Sequence, residues 1–241
     1  QSCFLCLRGI KMKKTYFYTE ISYVCGIIGL ALGTALMAKA DFGVSMVVAP
    51  SYLLYLKLSQ MWDFVTFGLT EYIMQALLLL CIIMIRKKFK FYFLLSFVTT
   101  MIYGFILNTC MIFGDYIPAV SIASRLVLYI IGLLLCVVAV AFMFHTYFSP
   151  SAYELFVKEV SAQKHVHINR FKTLYDYVSC LIGIILSFVF FGFFRFEGVK
   201  IGTIVCALVN GKLIGLCSDW MEKHWEFHDL LPWRRFFQSA D

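Results

Sequence analysis

A chain of 241 residues that is 61% hydrophobic and only 15% charged holds far more apolar side chain than a soluble core can hide, since soluble domains run about half apolar and a quarter charged. That excludes an ordinary soluble domain and makes lipid the solvent for much of the molecule. The formal net charge of +7 falls beside the apolar segments, where basic residues set membrane orientation, so no nucleic-acid partner is expected.

In chain order, Gln1–Lys11 reads as a leader or upstream sequence, because Met12-Lys13-Lys14-Thr15 looks like a start. It contains Cys3-x-x-Cys6, a lone pair without a second half. A span needs about 20 mostly apolar residues. The predicted spans are 18–38, 64–85, 92–113, 124–147, 173–194 and 201–221. The fourth is the cleanest, uncharged from Leu126 to Phe144, and the last is the weakest, being glycine-rich with Lys212 inside it. The fold class is therefore an all-α membrane protein of about six transmembrane helices. Residues 224–241 read as a cytoplasmic tail, with Trp220, Trp225 and Trp233 suited to headgroup level. Lys and Arg divide fifteen to five between alternate connecting segments, with Lys212 within a span. The positive-inside rule then puts both termini in the cytoplasm.

The second half repeats the first at a nearly constant offset. Ile27-Ile28-Gly29-Leu30 matches Ile130-Ile131-Gly132-Leu133 at 103 residues, Ser45 matches Ser149 at 104, Glu71-Tyr72 matches Asp176-Tyr177 at 105, and Tyr103-Gly104 matches Asn210-Gly211 at 107. The units are 12–113 and 114–223, each a span, a Ser/Pro-containing connector and two further spans. Three spans is an odd number, so the second copy lies inverted, a plan that recurs among secondary transporters with the site where the halves meet.

Both connectors read as short helices. Ser149-Pro150-Ser151-Ala152-Tyr153-Glu154 is a helix start, with Ser151 and Glu154 at capping-box spacing and Ser149-Pro150 as the rival cap. Tyr153, Phe156, Val157 and Val160 then share one face. The counterpart, Pro50 to about Gln60, is more apolar and could be re-entrant. Two readings stand side by side, a plain interfacial helix and a broken-helix gate whose positive N-terminus faces a site. Asp41, Gly43, Ser45, Gly202 and Thr203 complete the turns, the glycines supplying the tight backbone a break requires.

Ionisable residues inside a span carry a functional hypothesis by default. Glu71 and Asp176 occupy related places in the second and fifth spans, and Lys172 lies one turn before Asp176, able to pair with it. A carboxyl group taken out of water holds its proton more tightly, so these groups could form a proton or cation relay; a structural ion pair is the plainer reading. Asn108 and Asn210 add polar groups to the third and sixth spans, equally suited to helix–helix hydrogen bonds. No Gly-rich phosphate loop, GxSxG or HExxH is present, and the His165/His167 and His224/His228 pairs fall short of the three or four ligands of a zinc site. Neither an enzyme nor a cofactor is expected.

Three motifs carry a family resemblance. The first is Gly29–Leu36, followed by Ala40-Asp41-Phe42-Gly43-Val44-Ser45 and Pro50. Next come Pro150-x-x-x-Glu154 and Lys172-x-x-x-Asp176, then Gly198-Val199-Lys200-Ile201-Gly202-Thr203 with Ala207 and Gly211. In this order they resemble the YczE/YyaS/YitT-type bacterial membrane proteins, above all the YczE-like branch. Two departures stand out: Met46 where the family often has Pro, and Lys200 where it often has an apolar residue or Gly. The resemblance implies a multi-pass protein of the bacterial cytoplasmic membrane with no settled biochemical function. Two functional classes suit this sequence. One is a transporter of a small solute or ion, with a homodimer as its candidate assembly; the other is a non-transporting scaffold or regulator of a partner protein.

Overall fold

A computed structural model describes residues 15–87, 91–118, 120–148, 151–166, 168–192 and 199–232. Its elements run β1 (Thr15–Tyr18), α1 (Thr19–Ala40), α2 (Ala49–Leu58), α3 (Phe67–Arg86), α4 (Phe91–Asp115), α5 (Ile122–Phe144), α6 (Ala152–Lys164), α7 (Ile168–Phe191), α8 (Ile201–His224) and β2 (Trp225–His228). Among the described residues six helices are long and apolar enough to cross a membrane, all except α2 and α6. The protein is a multi-pass membrane protein. The Gln1–Lys11 segment, Trp233, His167, Ser149 and Pro150 lie outside the described residues.

The order long, short, long, long occurs twice, as α1–α4 and α5–α8. Helix ends follow local chemistry. Thr66 caps α3 by accepting the Leu69 N–H at 3.3 Å. Ser121 and Ser124 form a reciprocal box at the start of α5. Pro50 sits in the first turn of α2, where its missing N–H costs nothing. At α6 the expected capping box is not made. Ser151 is the N-cap, but its hydroxyl donates to the Glu154 carboxylate instead of accepting a backbone N–H. A carboxylate is the stronger acceptor and draws the hydroxyl away from the backbone.

The two halves are joined along α1 and α5, the most extensive helix pair. Their backbones approach through small residues: a Cβ at Gly33 would lie 2.7 Å from the Gly132 carbonyl oxygen, and one at Gly132 would lie 2.8 Å from that of Gly33. Each short helix then crosses to the other half. α2 packs on α7, and α6 packs on α3. The far end of α6 is fixed there by Glu159, which takes the Arg86 Nε at 2.5 Å and the Tyr92 hydroxyl. α7 and α8 touch each other far less than α3 and α4, their counterparts in the first half.

One element departs from expectation. β1 and β2 pair in parallel, Phe17 opposite Phe227, so the segment before the first span and the start of the tail form a two-stranded ribbon. Phe17 stacks on Trp225 at 5.0 Å, and His145 stacks on Phe227 at 4.4 Å. Trp225 thus belongs to an aromatic cluster at the end of α8.

Candidate functional site

Glu71 is the most deeply enclosed ionisable group of α3, with no exposed surface. Its Oε2 accepts the Gln75 Nε2–H at 3.0 Å and the Tyr153 hydroxyl at 3.1 Å, and its Oε1 contacts the Ser51 hydroxyl. Gln75 is oriented in turn, because its Oε1 accepts the Ala152 backbone N–H at 3.2 Å and the Thr100 hydroxyl at 2.6 Å. That backbone donor fixes which end of the amide is oxygen. One carboxyl group thus binds the first turns of both short helices, α2 through Ser51 and α6 through Tyr153 and, by way of Gln75, Ala152. Burial pushes the Tyr153 phenol well above its ordinary range, which keeps it a donor.

Hydrogen counting at Ser51 leaves two arrangements. Its single hydroxyl hydrogen has two acceptors in reach, Glu71 Oε1 and the Val48 carbonyl oxygen at 2.8 Å. Directed to Glu71 it completes a carboxylate held by three donors. Directed to Val48 it leaves the Glu71 contact to be made by a hydrogen on Glu71 itself. Among the described residues no cation partners Glu71, so the cluster is a clamp made of hydrogen bonds.

Beside this clamp lies a cavity of about 450 Å³ between the halves. Thr34, Ser45 and Val47 come to it from the first half, and Glu154, Asp176 and Asn210 from the second. Gln75 and Tyr153 belong to both places, bonding Glu71 and lining the cavity. Asp176 Oδ1 and Asn210 Oδ1 are closed to solvent and have no hydrogen-bond partner among the described residues. The expected Lys172–Asp176 pair is not made. Lys172 Nζ lies over the Phe144 ring, 5.5 Å from its centre, so the spacing permits the pair but a cation–π contact holds the ammonium. Lys172 still lines the cavity.

The remaining predicted residues divide by place. Asp41, at the left-handed end of α1 (φ 57°), accepts Arg125 Nη2 at 2.7 Å and Lys200 Nζ at 2.6 Å. Gly43 has φ +106°, and a Cβ there would meet Thr203 Oγ1 at 2.4 Å. Gly202 donates its N–H to the Phe42 carbonyl at 2.9 Å, and its own carbonyl accepts the Tyr129 hydroxyl at 2.5 Å. The Asp41–Ser45 turn is therefore seated on the start of α8. There Thr203 Oγ1 is a third buried oxygen without a partner among the described residues, facing Gly43 rather than the cavity. Pro50 begins α2 beside Ser51. Asn108 does not line the cavity: it accepts the Gly68 N–H at 2.8 Å and donates to Thr66 at 3.1 Å, fastening the start of α3 to α4.

Sequence reasoning did not find Ser51, Gln75, Thr100 or Tyr153 as partners of Glu71. Gln75 carried a signal, standing one turn beyond Glu71 on the same face. Ser51 and Tyr153 carried none: Ser51 meets Glu71 through the packing of α2 on α3, and Tyr153 reaches it from the other half through α6.

Similarity to known families decides one point. The chain belongs to DUF6198. DUF6198 is described as a family of unknown function, and the match covers residues 17–219, from the first strand to the last turns of α8. No curated protein and no solved structure matches the chain.

Proposed function

We propose that this DUF6198 protein transports a small solute or ion across the bacterial cytoplasmic membrane, through a site between two inverted halves. The observation that carries the proposal is the cavity of about 450 Å³ whose wall is drawn from both halves and holds two buried oxygens without a partner among the described residues. Midplane sites between repeats, flanked by the ends of short helices, are the recurring plan of such transporters. Kinship with the YczE-like branch belongs to the same proposal and rests on the three motifs. Cytoplasmic termini rest on the fifteen-to-five division of basic residues.

Alternating access tests the reading without knowledge of the solute. A Cβ at Gly215, beside the cavity, meets nothing within 4 Å, so Gly215→Cys introduces a thiol without strain. Its labelling by a membrane-impermeant maleimide is compared with that of the native chain in right-side-out and inside-out vesicles. A transporter exposes the thiol to each side in turn, so label enters from both. Labelling from one side only, or from neither, would support the scaffold reading instead.

A further inference from the structure

We infer that the cavity takes a solute bearing a protonated amine, whose N–H groups are received by Asp176 and Asn210. The inference names the solute class of the transporter reading; it rests on that reading for passage across the membrane and stands without it for binding.

The first support is an inventory of donors and acceptors. Around the cavity the Tyr153 hydroxyl is engaged with Glu71, the Tyr103 hydroxyl with Thr34 at 3.3 Å, and both ends of the Gln75 amide are taken. Among the described residues, the buried side-chain oxygens of the cavity wall left without a hydrogen-bond partner are Asp176 Oδ1 and Asn210 Oδ1, both acceptors. Buried acceptors lose their hydration without compensation until a donor arrives, so they favour a ligand rich in N–H groups. A primary ammonium supplies three such groups and no acceptor, which suits a wall that offers one carboxylate oxygen and one amide oxygen.

The second support is charge. Two carboxyl groups, Glu154 and Asp176, line the cavity against one ammonium, Lys172. Lys172 rests over the Phe144 ring, so it acts on Asp176 through space and not through a direct ion pair. An anionic solute would meet two like charges, while a cation meets an excess of opposite charge. The wall also carries aromatic rings, Phe144, Tyr103 and Tyr153. Phe144 already holds one ammonium on its face.

The third support is room. Gly211 directly follows Asn210, and a Cβ at Gly211 or Gly215 would meet nothing within 4 Å. α8 thus leaves the cavity open beside Asn210, and its volume is enough for a small amine.

The test uses three probes of one length, butylammonium, butyrate and butanol, added to the purified full chain in lipid nanodiscs. Thermal stability and calorimetric binding are read for the native chain, Asp176→Asn and Asn210→Asp. A ligand bound only by the folded state raises the melting temperature with its concentration. Butylammonium is expected to stabilise the native chain, and butyrate and butanol are not. Asp176→Asn should weaken amine binding by about 30-fold or more, the effect of removing one member of a buried charge pair. Asn210→Asp adds a second charge and should tighten it, which separates a recognition role from a loss of folding. Butyrate outperforming the amine would overturn the inference and make Lys172 the recognising group. Amine binding that is equal in Asp176→Asn would overturn it as well, and so would silence of all three probes. If Gly215→Cys is still labelled from both sides, such a failure removes the solute class and leaves the transporter reading intact.

Discussion

Glu71 and Asp176 stand at corresponding places in the two halves and have opposite surroundings. Glu71 is met by three hydrogen-bonding side chains and closed off completely. Asp176 has a buried oxygen that none of the described residues meets. Matching the halves by the starts of their short helices shows why. Where α2 has Ser51, α6 has Glu154, a carboxyl group that repels Asp176 rather than donating to it. Where α6 has Tyr153, α2 has Pro50, with neither hydroxyl nor N–H. One turn beyond the carboxyl, Gln75 is answered by Cys180, at best a weak donor. All three donors of the first cluster are therefore missing from the second. A carboxyl group inside a membrane is costly to keep. At Glu71 hydrogen bonds from α2, α3 and α6 offset that cost, and at Asp176 an opening is left for a ligand to do so.

The largest effect that could break this comparison is at Glu71. Glu71→Ala removes the common acceptor of α2, α3 and α6 and leaves buried donors unpaired, a loss of about 3 kcal/mol. It should appear as a lower melting temperature, with cleavage of the α2 and α6 segments by added protease. A stability within about 0.5 kcal/mol of the native chain would mean that the clamp is not what fastens α2 and α6 to α3. Glu71→Gln is a finer probe. A glutamine amide can turn its N–H toward Ser51 while the Ser51 hydrogen turns to the Val48 carbonyl. The cost should stay below about 1 kcal/mol, since every partner is kept. A loss as large as that of Glu71→Ala would show that the cluster requires the charged carboxylate.

How much of the fold and site was legible in the sequence depends on the range of the interactions. The six spans were readable because hydropathy is local: 18–38 and 64–85 were expected where 19–40 and 67–86 are found. The short helices were readable from Pro50 and from Ser151 before an apolar face. The Ser151–Glu154 spacing was right and its chemistry was not, because a side-chain carboxylate competes with the backbone for the same hydroxyl. Lys172 and Asp176 had the spacing of a pair, but Phe144, from another helix, decides where the ammonium rests. The β1–β2 ribbon joins segments from opposite ends of the chain, which no local pattern could announce. For the same reason the sequence pointed to Glu71 and Asp176 together as one pathway, and only the exchange of α2 and α6 separates a clamp from a cavity.

A smaller effect sharpens the comparison from the other side. Cys180→Gln places beside Asp176 the amide that Gln75 provides for Glu71, one turn along the same face. A hydrogen bond of this kind between side chains inside a membrane contributes about 0.6 kcal/mol on average, so the variant should melt slightly higher than the native chain. It should also lose butylammonium binding, because the acceptor is now occupied from within. Gain of stability together with retained binding would mean that Asp176 is not the acceptor the amine uses.

The smallest expected change in stability is that of Asp176→Asn, and its smallness is what makes it informative. Removing the acceptor of a satisfied network orphans its donors, as at Glu71. Among the described residues no donor depends on Asp176 Oδ1, and Lys172 rests on Phe144, so a neutral amide of the same shape breaks no hydrogen bond of that oxygen. It gives up the through-space attraction of Lys172 while relieving the repulsion from Glu154 and the cost of burying a charge, influences that oppose one another. The melting temperature should therefore stay within the equivalent of about 0.5 kcal/mol of the native chain, or rise. A fall of about 3 kcal/mol, the size expected for breaking a buried ion pair, would show that Asp176 is a structural partner after all. The contrast between the halves would then be one of two clamps, and the cavity would lose the group on which its selectivity rests.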